Sequence, residues 1–158
     1  MGKIAFVFSG QGAQKAGMGK SFYDNNETVK DLFDRAETLR NGTLAQCFSG
    51  TAEELKETQN TQPCLYLTDL AAAIALSEAG IPVDGVAGFS LGELPALAFA
   101  GAYSHLDGFR LACIRGRAMA KAAAERIISR VKGLDKGPGR LSIISGNLID
   151  KESVRALI

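Results

Sequence analysis

Apolar positions along the chain switch between a short continuous run and a three-to-four spacing. Residues 3–8, KIAFVF, are rich in β-branched and aromatic types and predict a buried strand, with an open loop after it at Gly10, Gly12, Gly17 and Gly19. Residues 21–40 place Phe22, Val29, Leu32, Phe33, Ala36 and Leu39 three and four apart, which predicts one amphipathic helix. Thr51 with Glu54 three residues later predicts a capping box for a short helix through Glu57. Thr61-Gln62-Pro63 interrupts the pattern. From Pro63 to Ala79 the chain is apolar nearly all round, with Asp69 and Glu78 as its only charges, and reads as a buried helix ended by Gly80 and Pro82. Residues 83–89, VDGVAGF, predict a second strand, and 91–100, LGELPALAFA, a helix with Pro95 near its first turn, where proline is tolerated. Ser104 with Asp107 can cap the next helix, which carries Phe109, Leu111, Ala112, Ile114 and Met119 and continues without a stop to Val131. A glycine-rich loop over 133–139, a third strand over 141–145 (LSIIS), a turn at Gly146-Asn147 and a final helix capped by Asp150 complete the reading.

Strands alternating with helices predict an α/β fold, a parallel sheet flanked by helices, in a single domain over 1–158. A length of 158 residues suffices for a real core, and 46% hydrophobic with 22% charged residues is the balance of a globular protein. The net charge of +1 gives no global attraction to nucleic acid or membrane. The apolar runs are too short to span a bilayer and the N-terminus too short for a signal peptide, so a cytoplasmic monomer is expected. The three cysteines lack metal-type spacing and read as reduced thiols, and one histidine leaves no basis for His-rich metal chemistry; neither metal nor cofactor is expected. Charge is uneven locally: from Arg115 to Arg140 eight basic residues face only Glu125 and Asp135. Such a stretch is either a solvated helix face or a surface for an anionic partner, such as a CoA phosphate or an acidic carrier protein.

Gly88-Phe89-Ser90-Leu91-Gly92 lies between the second strand and its helix. A serine on a sharp strand-to-helix turn lifts its hydroxyl above the sheet, and the glycines are needed where backbones come too close for a Cβ. The positive end of the next helix faces the same spot and favours an oxyanion, with the Leu91 N–H as the natural donor. Ser90 is therefore the candidate nucleophile.

Phe8-Ser9-Gly10-Gln11-Gly12-Ala13-Gln14, Met18-Gly19, Thr61-Gln62-Pro63, Gly88-Phe89-Ser90-Leu91-Gly92-Glu93, Arg110-Leu111 and Arg115-Gly116 follow in that order. Over roughly residues 3–120 this series resembles the bacterial malonyl-CoA:acyl carrier protein transacylases and the related acyltransferase domains of fatty acid and polyketide synthases. The resemblance implies an α/β-hydrolase-like acyltransferase core that moves a malonyl group from malonyl-CoA, through a Ser90 ester, to the phosphopantetheine thiol of acyl carrier protein. It implies that Gln11 and Leu91 offer backbone N–H groups to the oxyanion, although a turn residue between glycines would look like Gln11. It implies that Arg115 pairs bidentately with the malonyl carboxylate, a task for a planar guanidinium, although a surface arginine would look the same. Gln62 matches a family position near the substrate, and equally a polar residue preceding a helix. Leu91 resembles malonyl-selecting members, whereas members taking methylmalonyl often carry glutamine there. Phe89 replaces the family's commoner histidine and makes the surroundings more apolar.

One part of the family pattern has no match. The family base is a histidine far downstream of the serine, beyond an inserted ferredoxin-like subdomain. Here 68 residues follow Ser90 and the only histidine is His105, at a helix start. Segments 122–127 and 142–147 resemble the family's parts after that histidine, so the subdomain is expected to be absent and 121–158 to correspond to the later part of the core; deletion, disorder or a natural remnant would each give that pattern. Two alternatives follow: a catalytically impaired remnant that binds CoA or carrier protein, and a serine hydrolase, against which an acid-anchoring Arg115 argues.

Overall fold

The computed structural model describes residues 2–132 and 148–150. Strand β1 (Ala5–Phe8) pairs in parallel with β2 (Gly85–Gly88), Ala5 opposite Gly85 and Phe8 opposite Gly88. Between them run α1 (Lys20–Asn25), α2 (Glu27–Leu39), α3 (Thr43–Ser49), α4 (Ala52–Lys56) and α5 (Thr58–Glu78). After β2 a single 3-10 turn (Ser90–Gly92) leads into α6 (Glu93–Phe99), then α7 (His105–Val131). Strand β3 (Leu148–Asp150) lies on the other side of β2.

The α/β reading holds, but the described sheet is mixed: β3 runs antiparallel to β2, with Gly85 opposite Asp150. Pairing on that side satisfies the backbone groups that β1 cannot reach. Asp150, expected to cap a final helix, is the last residue of β3. The loop over 133–139, the strand over 141–145, the turn at 146–147 and the helix after Asp150 all lie outside the described residues. Across residue 120, where the two family-like segments meet, α7 is one unbroken helix.

Two helical boundaries differ from expectation. The single helix over 21–40 is two, because Asn26 is extended and its side-chain oxygen accepts the Val29 N–H at 2.9 Å, a cap inside the apolar series. Periodicity cannot register a one-residue break that leaves Phe22 and Val29 both facing inward. Helix α5 begins at Thr58, so the Thr61-Gln62-Pro63 interruption lies within it. Pro63 forfeits the bond to the Gln59 carbonyl, while the Thr61 hydroxyl donates to the Leu55 and Glu57 carbonyls at 2.5 and 3.0 Å and holds the first turn. Helix α3 was not expected; its leading N–H groups are met from a distance by the Glu37 carboxylate, which accepts from Gly42 and Leu44 at 2.7 and 2.8 Å. The Thr51–Glu54 capping box and the Ser104 cap are present as expected.

The larger core centres on α5, whose Leu65, Tyr66, Leu67, Leu70 and Ala71 are buried against Phe33 of α2 and Phe109 of α7. A smaller one lies under the sheet, where Phe6, Phe8 and Val86 meet Ala73 and Ala96, and the rings of Phe6 and Phe8 stand 5.6 and 6.0 Å from Phe99. Leu91 is fully buried in the larger core, so the turn that carries Ser90 is anchored from below.

Candidate active site

The elbow is built by exclusion. A Cβ on Gly88 would run into the Gly92 carbonyl and the Glu93 nitrogen, and one on Gly92 would meet the Phe8 carbonyl and, at 2.6 Å, the Ser9 oxygen. These approaches fold the strand end back over the helix start, and Ser90 takes up the bend at φ +55°. A non-glycine residue there costs roughly 1–3 kcal/mol, which the buried Leu91 and the Phe89 N–H to Phe8 carbonyl bond of 3.2 Å help to offset. Phe89 is two-thirds exposed, so the residue beside the nucleophile presents an apolar ring to the outside.

Arg115 is the expected site residue that the fold brings into contact with Ser90: its guanidinium Nη2 donates to the Ser90 Oγ at 3.1 Å. Among the described residues Arg115 makes no ion pair, so the rest of its donor fork is open to an anion. Gln11 lies in the loop after β1, which runs beside the elbow because Gly10 packs against Phe89; its side chain turns away and donates to Thr58 Oγ1 at 3.2 Å. Among the described residues neither the Gln11 nor the Leu91 backbone N–H donates a hydrogen bond. Gln62, on α5, is fully buried: its Nε2 faces at 3.2 Å the sulfur of Met119, one turn along α7 from Arg115, and its Oε1 has no partner. It forms no hydrogen bond to Ser90 or Arg115.

A guanidinium has donors only, so Arg115 cannot accept the serine proton. His105 is placed as the sequence reading expected, in the first turn of α7, about 15 Å along the helix axis from Arg115 at 1.5 Å per residue. Its carbonyl accepts the Tyr66 hydroxyl at 2.8 Å, and burial lowers the imidazole pKa. Among the described residues no group that could form a metal site is present, and no helix is long and apolar enough to cross a membrane.

A pair that the sequence reading missed lies beneath the loop. The Ser9 hydroxyl donates to both carboxylate oxygens of Asp69 at 3.0 and 3.1 Å, tying the start of the Gln11 loop to α5. Burial pushes the Asp69 carboxyl up to about 6, and the Ser9 bonds pull the other way. An acid in the middle of a largely apolar helix was the signal available, but its partner lies 60 residues away.

The acyl transferase domain family matches residues 5–137. This chain belongs to that family. It is 44% identical over 138 residues to the malonyl CoA-acyl carrier protein transacylase of Bacillus subtilis (strain 168), covering 85% of this chain and 44% of the relative. Among solved structures it is similar to the malonyl-CoA:ACP transacylase of Synechocystis sp. PCC 6803, with a TM-score of 0.71, 40% identity, and 76% of this chain and 41% of that one covered. It is also similar to a malonyl-transacylase solved in complex with its type II PKS acyl-carrier protein, with a TM-score of 0.70, 34% identity, and 77% and 40% covered. The chain thus spans less than half the length of the relatives it matches. As an acyl transferase domain it carries the elbow and the arginine-bearing helix in one piece.

Proposed function

We propose that this domain accepts a malonyl group from CoA on Ser90 and passes it to the phosphopantetheine thiol of an acyl carrier protein, in cytoplasmic fatty acid or polyketide synthesis. The observation that carries the reading is the 3.1 Å contact between Arg115 and the Ser90 hydroxyl. A dicarboxylic thioester needs its reacting carbonyl at the nucleophile and its free carboxylate on a fixed cation nearby, and a guanidinium beside the serine meets both needs. Attack by Oγ on the thioester carbonyl forms the C–O bond and breaks the C–S bond. The serine proton ends on the departing CoA thiol, and the pantetheine thiol later reverses the exchange. The Leu91 and Gln11 N–H groups would share the oxyanion's charge, and Gln62 would line the malonyl end of the site.

A second reading, a domain that binds CoA or carrier protein with little turnover, is favoured because, among the described residues, Ser90 has no proton acceptor as a hydrogen-bond partner. A missing base costs about 10²–10⁴-fold in rate. The two readings meet in one experiment, in which the 158-residue chain is mixed with malonyl-CoA and followed by intact mass. The expected result is slow acylation; rapid stoichiometric acylation would overturn the claim that the base is missing. Salt-sensitive CoA binding with no adduct after long incubation would leave the second reading alone.

A further inference from the structure

A pocket of about 190 Å³ opens between the end of α2 and the middle of α7, on the face of α7 turned away from Ser90. Its floor is apolar, made by Phe109 and Cys113, both buried, and its rim carries Leu39 and Ile114, which are 40% and 57% exposed. Three arginines, Arg40, Arg110 and Arg117, line the same opening. Arg40 is held from behind by neutral acceptors only: Nη1 donates to Thr43 Oγ1 and Gln46 Oε1 at 3.2 and 2.7 Å, and Nη2 to Asn60 Oδ1 at 2.8 Å. Among the described residues neither Arg40 nor Arg117 forms an ion pair. Arg110 pairs with Asp107 at 2.7 Å, but both side chains are more than half exposed, and such a pair is weak and exchangeable.

We propose that this pocket binds a small anionic head group, a carboxylate or a phosphate monoester, carried on an aliphatic stem. Charge decides the head. Three cations face one carboxylate, Asp107, and the roughly half negative charge at the end of α2, so the opening is positive on balance. The shape decides the stem. Phe109, Cys113, Ile114 and Leu39 offer an apolar seat that a bare inorganic anion would leave unfilled, and guanidinium groups at its edge can grip an oxyanion without burying it. The site is independent of the reading of Ser90: neither Ser90 nor any other residue of the elbow lines it, and Ser90→Ala is expected to leave it unchanged.

The test is titration of the ¹⁵N-labelled chain with sodium octanoate, octyl phosphate, octanol and inorganic phosphate, all below micelle-forming concentrations. At least one of the two anionic chains should shift the amides of Leu39, Phe109, Cys113, Ile114 and Arg117 saturably, and the better of the two identifies the head group. Octanol and inorganic phosphate should shift none of them at equal concentration. Arg117→Gln should weaken binding about tenfold, the value of a charge-assisted bond, and Ile114→Ser should weaken it less. Both side chains are exposed, so neither variant should disturb the fold, which circular dichroism checks. Binding of octanol as tight as that of the anions, unchanged affinity in Arg117→Gln, or shifts confined to the neighbourhood of Ser90 would each overturn the proposal.

Discussion

At the scale of single residues, Ser90 sits in a backbone conformation that only its surroundings impose, at φ +55° and with glycines on either side that admit no Cβ. Gly92→Ala would drive a methyl into the Phe8 and Ser9 carbonyls, which cannot yield without parting β1 from the elbow. We expect a loss of about 3 kcal/mol or more in urea unfolding, or no folded protein. Arg115→Ala should reduce malonyl acylation by about 10- to 100-fold, the range of one or two charge-assisted bonds, and should raise KM more than it lowers the rate at saturation. Asp69 gives a pH dependence. Its folded carboxyl titrates at about 6, above the ordinary 3.8, so the fold binds that proton more tightly than the unfolded chain does. The resulting stabilisation is complete below about pH 4 and is lost as pH rises to about 6, a change of about 2–3 kcal/mol. Asp69→Asn should flatten that slope and be more stable than the parent at neutral pH, as read by unfolding across this range. The elbow was legible in the sequence because its causes are local, a pentapeptide between a strand and a helix. The Ser9–Asp69 bond was not, because nothing in either neighbourhood names the other.

At the scale of elements, the pairing of α5 with α7 places the arginine over the serine, and Gln62 lies between those helices with a buried acceptor that nothing satisfies. An unpaired buried amide oxygen costs about 1–3 kcal/mol, so Gln62→Met should stabilise the fold by a fraction of that while weakening malonyl acylation if the orphan oxygen serves substrate. Stabilisation with unchanged acylation would show that Gln62 has no part in the site. The helices themselves were read from periodicity with two kinds of error. Asn26 breaks a continuous apolar series by capping within it, and Pro63 is tolerated inside α5 because Thr61 holds the first turn. Helix α3 escaped notice because its cap, Glu37, belongs to the preceding helix. In each case a side-chain bond to the backbone outweighed the local signal.

At the scale of the whole molecule, a helical core around α5 supports a small sheet whose β1–β2 pairing joins the two ends of a long crossover. Cys47 and Cys64 are fully buried in that core, so alkylation of either should proceed only at the rate of global unfolding, whereas Cys113 lines a surface pocket; fast labelling of Cys47 or Cys64 in native buffer would contradict the packing. The family was legible because its motifs, spread over some 110 residues from Phe8 to Gly116, follow one another in the family's order, and two of them, the Ser90 pentapeptide and Arg115, meet in the fold. The orientation of β3 was not, since the direction of a strand depends on a pairing that no stretch of sequence states. The central claim is that Ser90 is the atom that accepts malonyl and that Arg115 selects it. Mass mapping of the chain after prolonged incubation with malonyl-CoA, beside acetyl-CoA and the Ser90→Ala and Arg115→Ala variants, tests it most directly. The expected result is one malonyl group per chain on the peptide containing Ser90, absent in Ser90→Ala, strongly reduced in Arg115→Ala and disfavoured with acetyl-CoA. A malonyl adduct that persists in Ser90→Ala, or equal labelling by acetyl-CoA, would contradict it.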